Sequence, residues 1–201
     1  DLAIKQAKSM VENGAGIIDI GGESARPGAS AVTVNDELKR VIPVIEALTK
    51  EIHVPISIDT SKPEVMEQAI SCGASIINDV NALRAPGALE MASKLKSDVC
   101  LMHMQGNPRT MQKNPIYADV VEDIKSFFKE RIKACESAGI DLSSITLDPG
   151  FGFGKNLGHN IALLKNLSEF HEFGVSILAG LSRKSMIGAL LGDKDVESRM
   201  I

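Results

Sequence analysis

The chain has 201 residues, a formal net charge of −4, 44% hydrophobic residues and 24% charged residues, which is an ordinary composition for one globular domain. The acidic balance and the scarcity of aromatic residues, with no Trp and one Tyr, exclude a basic or base-stacking surface, so nucleic acid is not expected as a partner. No apolar stretch approaches the roughly 20 residues that a membrane span needs, so no membrane partner is expected either.

The three cysteines, Cys72, Cys100 and Cys135, are odd in number and far apart. This spacing argues against a disulfide framework and against a structural zinc site. We expect buried free thiols and a cytoplasmic location. The first residue is not Met and falls inside a predicted helix, and the last residues stop in another polar-apolar stretch. The sequence therefore predicts a single domain over 1–201 that is truncated at both ends.

Strands and helices alternate along the first half of the chain. A helix from Leu2 ends at Asn13-Gly14, and a strand then runs to Asp19. A glycine-rich loop, 21–30, leads to a helix at about 35–50 in which Pro43 should produce a bend. After a strand ending at Asp59, the segment Ser61-Lys62-Pro63-Glu64 predicts a capping box with proline in the first helical turn.

The alternation continues in the second half. Strands are predicted to end near Asn78-Asp79, near His103, at Asp148 and at Leu178. The helices between and after them are expected at about 87–96, 119–138 and 160–167, with a last one from Ser185. Six such units fit a (β/α)₈ TIM barrel that lacks its first and last strands in this chain. A doubly wound open sheet is the alternative, although it would place its site at a single switch point.

Polar residues end several of the predicted strands. Asp59, Asn78 and Asp148 each follow an apolar run, and parallel strands release the chain at one common rim. A buried carboxylate is costly without hydrogen-bond donors, so a ligand rich in N–H groups would suit these residues. The alternative is that each strand-end Asp caps the next helix or turn.

The loops after the strands add further candidates. The loop Gly21–Gly28 combines backbone freedom with Ser24 and Arg26, which suits an anionic group. Ser182-Arg183-Lys184-Ser185 opens a helix and would also favour an anion. Phe151 and Phe153 could wall a flat ligand. The segment from Gly150 to Lys155 is one residue short of a phosphate-binding P-loop, and His103 lacks metal-binding neighbours and is expected to be a structural rim residue.

Six segments together resemble the dihydropteroate synthase family. They are Asp19-Ile20-Gly21-Gly22-Glu23-Ser24-Ala25-Arg26-Pro27-Gly28, Ser57-Ile58-Asp59-Thr60, Ile77-Asn78-Asp79-Val80, Leu101-Met102-His103-Met104-Gln105-Gly106, Leu147-Asp148-Pro149-Gly150-Phe151-Gly152-Phe153-Gly154-Lys155 and Gly180-Leu181-Ser182-Arg183-Lys184-Ser185. The resemblance implies a folate-pathway transferase that joins 4-aminobenzoate to 6-hydroxymethyl-7,8-dihydropterin diphosphate, releasing diphosphate and 7,8-dihydropteroate. Sulfonamides compete on the aminobenzoate side of this family.

The resemblance also implies roles for individual residues. The pterin-binding set comprises Asp59, Asn78, Met102, Asp148, Phe153 and Lys184. Arg26, Pro27 and Ser185 match the aminobenzoate side and its loop. Asp59 and Lys184 are the expected catalytic residues, with Asp59 stabilising positive charge while diphosphate leaves.

The cofactor, the oligomer and the departures from the family follow from the same resemblance. It implies Mg²⁺ and a homodimer, but no metal ligand is expected within this chain because the family's Asn ligand lies in the missing first strand. Ala25 stands where the family usually has Thr. The last strand, with the Arg and His that grip diphosphate, also has no counterpart, so we expect poor activity from this piece alone.

Two other functions share the predicted barrel and stay open at this point. One is a methyltransferase that moves a methyl group from methyltetrahydrofolate to a corrinoid protein, which would lack the Ser-Arg-Lys-Ser stretch and the Arg-Pro-Gly loop. The other is a non-catalytic pterin-binding module or subunit. The Ser182–Ser185 stretch favours the synthase over the methyltransferase.

Overall fold

The computed structural model describes residues 2–25, 28–106, 110–112, 114–192 and 195. Within these ranges α-helices and β-strands alternate along the chain, as the sequence predicts. The helices are α1 (Leu2–Glu12), α2 (Val34–Leu48), α3 (Pro63–Ser71), α4 (Ala88–Leu95), α5 (Val120–Ser137), α6 (Leu157–Lys165) and α7 (Ser185–Leu190). The strands are β1 (Ile18–Gly21), β2 (Ile56–Asp59), β3 (Ile76–Asp79), β4 (Asp98–Met102), β5 (Ile145–Asp148) and β6 (Ser176–Ile177).

The strands form one parallel sheet in the order β1-β2-β3-β4-β5-β6. Each strand pairs with the next strand of the sequence, and the order never reverses. A doubly wound sheet needs such a reversal, whereas a barrel wall does not, so the doubly wound alternative is wrong. Among the described residues β1 and β6 are each paired on one side only. The sheet is therefore an open portion of a barrel wall.

Each strand presents one apolar face and one mixed face. The strand residues packed in the helix-covered core are Ile18, Ile56, Ile58, Ile77, Val99, Leu101, Ile145 and Leu147. Successive side chains of a strand point to opposite faces, so the alternate positions line the barrel interior. Toward the carboxyl ends these inner positions are Asp19, Ser57, Asp59, Asn78, Cys100, Met102, Thr146 and Asp148. The polar groups thus converge on the inner wall.

Two helix starts differ from the sequence prediction. Helix α3 begins after Lys62 with no side-chain cap, so the capping box predicted at Ser61 is wrong. The Ser61 hydroxyl donates instead to the carboxylate of Asp79, which is fully buried and needs donors. Helix α6 begins at Leu157 rather than near 160, because Asn156 caps it by accepting a hydrogen bond from the His159 N–H at 2.8 Å.

Aromatic packing closes the outer layer of the domain. Phe128 of α5 is buried and lies edge-on to Phe170 and Phe173, with ring centroids 5.9 and 6.2 Å away. These two rings belong to a 3₁₀ helix, Leu167–Phe173, that the sequence does not predict. No helix among the described residues is both long and apolar enough for a membrane crossing.

The cysteines are free thiols, as predicted, but they are not equally buried. Cys100 and Cys135 are buried, whereas Cys72 is only partly covered at the end of α3. The expectation that all three are buried is therefore wrong for Cys72, which sits in the exposed turn between α3 and β3.

Candidate active site

The structure brings the predicted strand-end residues to one rim. Asp59 and Asp148 are the last residues of β2 and β5, and Met102 is the last residue of β4. Asp59 is in register with Asn78, and Asn78 is in register with Cys100. Asp148, Asp19 and Asp59 all act electrostatically on the buried Cys100 thiol, and burial and these charges raise its pKa. The strand registers place all three carboxylates on the inner face of the sheet, within electrostatic range of Cys100.

Asp59 is held in an environment that disfavours its charge. Burial raises its pKa to about 7, and the carboxylates of Asp19, Asp79, Glu37 and Glu23 add to this effect. A carboxylate in this state is stabilised by any ligand that brings N–H donors or positive charge close to it.

Asn78 is oriented by a neighbour that was not among the predicted site residues. Its Nδ2 donates to Asp19 Oδ2 at 3.2 Å, which turns Oδ1 of Asn78 away from Asp19. Asn78 then offers an acceptor to the N–H groups of a ligand. Asp19 ends the first apolar run of the sequence. The two-residue period of a β-strand could have identified Asp19 as an inward-facing residue, and the structure pairs it with Ser57 on the inner face.

The second wall of the site comes from the loops after β5 and β6. Asp148 is buried, and its Oδ1 accepts the Gly150 N–H at 2.8 Å. Burial raises the pKa of Asp148 despite the opposing charge of Lys184. The Lys184 ammonium lies 4.4 Å from the centre of the Phe153 ring, and burial lowers its pKa. Phe153 and Met102 also pack in one small apolar cluster, so charged and flat apolar surfaces meet here.

Lys155 holds the glycine-rich loop together from inside the protein. Its side chain is only 3% exposed, and its Nζ lies 3.0 Å from His103 Nδ1. The same ammonium donates to the carbonyls of His103, Gly150 and Phe153 at 3.3, 3.0 and 2.9 Å. Burial lowers the pKa of Lys155 to about 7. Lys155 is therefore a structural cross-link between two loops, and His103 is a packed rim residue, as predicted.

We expect Lys155→Met to destabilise the folded protein by on the order of 2 kcal/mol, because three buried carbonyls lose their hydrogen-bond donor. Burial lowers the pKa of Lys155 from 10.5 to about 7, so between these values the unfolded state binds more protons. The contribution of Lys155 to stability should then rise with pH across this window. Urea unfolding at several pH values tests this, and the exposed Lys165→Met is the control. Equal stability of both variants at every pH would contradict the cross-link.

The aminobenzoate-side residues are only partly described. Ser185 is the first residue of α7 and is exposed. Arg26 and Pro27 lie outside the described residues. Ala25 lines a cavity of about 190 Å³ together with Glu23, Glu37 and Asp59, so this cavity adjoins the rim.

The described residues do not form a magnesium site by themselves. No three His, Cys, Asp or Glu side chains within the described ranges are arranged to hold a metal ion. Beside Asp59, the carboxylates of Glu23 and Glu37 are already paired with the ammonium of Lys62.

Comparison with known proteins places this chain in a family. The model of the pterin binding enzymes matches residues 1–201. The chain belongs to this family. Its curated relatives include the dihydropteroate synthase of Escherichia coli K12, 57% identical over 189 residues that make up 94% of this chain and 67% of the relative. The dihydropteroate synthase of Haemophilus influenzae is 53% identical over 201 residues, which make up 100% of this chain and 73% of the relative.

Solved structures of the family superimpose closely on the chain. The Yersinia pestis dihydropteroate synthase with a sulfonamide drug complex matches with a TM-score of 0.95 and 50% identity, covering 98% of this chain and 71% of that one. The Xanthomonas albilineans enzyme with 4-aminobenzoic acid matches with a TM-score of 0.94 and 50% identity, over 99% and 71% of the two chains. These neighbours confirm the barrel fold, of which this chain forms a portion.

Proposed function

We propose that this chain carries the pterin-binding site of a dihydropteroate synthase, which joins 4-aminobenzoate to 6-hydroxymethyl-7,8-dihydropterin diphosphate and releases diphosphate and 7,8-dihydropteroate. The observation that carries this proposal is that Asp19, Asp59 and Asp148 share the inner face of the sheet with Asn78, near the carboxyl ends of the strands. Relatives that match this chain at 53–57% identity are transferases of this name. A structure of the Xanthomonas albilineans enzyme holds 7,8-dihydropteroate, and it matches this chain with a TM-score of 0.89.

The rim suits a pterin because it offers acceptors where the ring has N–H groups. Asp148 and Asn78 supply a carboxylate and an amide oxygen on neighbouring parts of the inner wall. Both are held by other contacts, Asp148 by the Gly150 N–H and Asn78 by Asp19. Phe153 and Met102 supply apolar contact area for the flat ring. Preorganised acceptors in a low-dielectric site favour such a ring over water.

In the proposed reaction the bond between the pterin methylene carbon and the diphosphate oxygen breaks first. Positive charge then develops on the methylene and the ring, and the carboxylate of Asp59 stabilises it. Diphosphate leaves with the electron pair of the broken C–O bond. The amine nitrogen of 4-aminobenzoate attacks the methylene carbon, a C–N bond forms, and the amine gives up one proton to solvent. No side-chain nucleophile takes part. Lys184 lies beside Phe153 and Asp148. Its ammonium is proposed to stabilise the anionic groups of the substrates.

Four further proposals rest on the family resemblance alone. They concern the aminobenzoate-side residues, the cofactor, the oligomeric state and the cellular location. Arg26, Pro27 and Ser185 are proposed to contact the aminobenzoate side. Mg²⁺ is proposed as the cofactor, a homodimer as the oligomer and the cytoplasm as the location. Light scattering of the purified protein checks the dimer, and isothermal titration of the diphosphate substrate with and without Mg²⁺ checks the cofactor.

The test of this function is turnover by the full-length protein. Release of diphosphate that depends on both substrates would support the synthase. Pterin binding without diphosphate release would favour the non-catalytic module, and methyl transfer from methyltetrahydrofolate would favour the corrinoid methyltransferase. Both outcomes would overturn the proposal.

We expect Asp148→Asn to raise the KM for the pterin diphosphate by about tenfold to a hundredfold, since a charged acceptor for a ring N–H is lost. The KM for 4-aminobenzoate should change much less. Asp141→Asn is the matched control. Asp141 is exposed and precedes the amino end of β5, whereas Asp148 is at its carboxyl end. Equal KM changes for both substrates would show that Asp148 does not read the pterin.

A further inference from the structure

A second charged cluster lies next to the Asp59 carboxylate, and none of its members has a role in the proposed reaction. The Lys62 ammonium contacts one carboxylate oxygen of Glu23 and one of Glu37. We call Lys62, Glu23 and Glu37 the Lys62 cluster. The Glu37 side chain is fully buried in α2, and the Lys62 side chain is 23% exposed. These are partly desolvated charges, unlike a pair on the open surface.

The Lys62 cluster holds both ends of the loop after β1. Glu23 uses Oε2 for Lys62, and its Oε1 accepts the Val32 N–H at 3.1 Å. One carboxylate therefore joins the start of the segment 23–32 to its end, and Lys62 ties that junction to the end of β2. The preceding Gly22 passes so close to α2 that a Cβ there would lie 2.8 Å from Glu37 Cγ.

The cluster also borders the cavity that contains Asp59. This cavity of about 190 Å³ is lined by Glu23, Glu37, Asp59, Thr60 and Ser61, among others. The second oxygen of Glu37, Oε1, is buried and has no hydrogen-bond partner among the described residues. With one ammonium for two carboxylates, the cluster keeps one net negative charge beside Asp59.

We propose that Lys62 is a positioning residue for the reaction: it holds Glu23, and through Glu23 both ends of the 23–32 segment, against the Asp59 cavity while it balances the buried charge of Glu37. This inference rests on the proposed function. Within the described residues, Lys62 makes no hydrogen bond or ion pair with any residue assigned to the pterin.

Removal of the Lys62 charge should change the ionisation of Asp59. The charged and titratable groups that face Asp59 are Asp19 of β1, Glu23 of the loop, Glu37 of α2, Asp79 of β3 and the Cys100 thiol of β4. Lys62→Met removes a positive charge from beside Asp59, so the ionised form of Asp59 becomes less favourable. If Asp59 acts as a carboxylate, the rise of activity with pH should move to higher pH.

The kinetic test compares Lys62→Met, which keeps the length of the side chain, with Lys62→Arg, which keeps the charge. We expect Lys62→Met to lower kcat/KM for 4-aminobenzoate by about tenfold or more and to move the pH profile upward, since remote misplacement of this kind is costly. Lys62→Arg should recover most of this loss. The control Lys94→Met removes an exposed pair with Glu67 on the outer surface and should match the wild type.

The structural test measures amide exchange at Val32. Loss of the Lys62 contact should free Glu23 and speed exchange of the Val32 N–H by about tenfold or more. If Lys62→Met does not fold, Glu23→Gln takes its place: it weakens the pair with Lys62 but leaves an oxygen that can still accept from Val32. Glu23→Gln should then move the rise of activity to lower pH, because it removes a negative charge that raises the pKa of Asp59, and it should speed exchange of the Val32 N–H by a smaller factor.

Unchanged exchange together with an unchanged pH profile in the folded variants would overturn the proposal, and so would a failure of Lys62→Arg to recover activity. A wild-type protein without turnover would refute the proposed function instead. In that case the exchange measurement at Val32 still decides whether Lys62 positions the segment.

Discussion

Replacing Asp59 with Asn in the full-length protein is expected to lower kcat/KM by about 10²–10³-fold, the usual cost of removing one group that stabilises transition-state charge. The side chain changes by one heavy atom and keeps its place at the end of β2. What it loses is the negative charge that is proposed to stabilise the methylene carbon as diphosphate leaves. Steady-state kinetics with both substrates measures this loss.

The pH dependence separates a charge effect from a packing effect. Because the pKa of Asp59 is raised to about 7, the wild-type kcat/KM should rise with pH through that value as the carboxylate forms. Asp59→Asn should lose this rise, since the amide does not titrate. A variant that keeps the same rise would show that another group controls the profile.

The same substitution should make the folded protein more stable at high pH. In the unfolded chain Asp59 ionises near 3.8, whereas in the folded protein it does so near 7, so the folded state binds more protons between these values. The contribution of Asp59 to stability therefore falls as the pH rises from about 4 to about 7. At pH 8 we expect Asp59→Asn to be more stable than the wild type by on the order of 1 kcal/mol, allowing for solvent in the cavity.

Asp98→Asn is the matched control for Asp59→Asn. Asp98 is also on the inner face of the sheet, but it is the first residue of β4 and lies at the opposite end of the wall. It should leave both kcat/KM and stability close to the wild-type values. If Asp59→Asn lowered activity and stability together, its role would be in packing and not in charge stabilisation.

Gly150→Ala is expected to destabilise the fold by about 3 kcal/mol or more, combining left-handed strain with overpacking. Gly150 has a φ of +71°, and an added Cβ would lie 2.0 Å from the carbonyl oxygen of His103. That oxygen belongs to the backbone and is also held by Lys155, so it has little freedom to move. Urea or thermal unfolding measures the loss.

Gly152→Ala isolates the cause of that loss. Gly152 has a similar φ of +81°, but its added Cβ would meet only the flexible side chain of Lys184, at 3.5 Å. This control should therefore show only the strain of about 1–2 kcal/mol. Equal destabilisation by the two substitutions would mean that the clash with the His103 carbonyl oxygen does not contribute to the loss of stability. Pterin affinity should fall in Gly150→Ala as well, because the shifted backbone weakens the hydrogen bond from the residue 150 N–H to the Asp148 carboxylate.

The residue pattern was sufficient to predict the order of elements and the rim. Apolar runs that end in Asp59, Asn78 and Asp148 predict buried parallel strands with polar carboxyl ends, and these ends are where the structure has them. The helix boundaries were less accurate because local signals compete. Ser61 followed by Pro63 resembles a capping box, yet the buried carboxylate of Asp79 takes the Ser61 hydroxyl.

Residues that act through long-range pairs could not be predicted in the same way. Lys62 contacts carboxylates 39 and 25 positions away, and Lys155 contacts His103 at a separation of 52. Nothing in the neighbouring residues marks Lys155 as buried or Lys62 as half-buried. Their surroundings exist only once the loops after different strands meet at the rim.

The sequence by itself determined the alternation of strand and helix, the inward carboxylates and the family, because these depend on local periodicity and on contiguous motifs. Only the tertiary structure decided which charges pair, which carboxylates share one cavity and how far the pKa of Asp59 rises. Those properties depend on distance and desolvation, and both are set by residues brought together from distant parts of the chain.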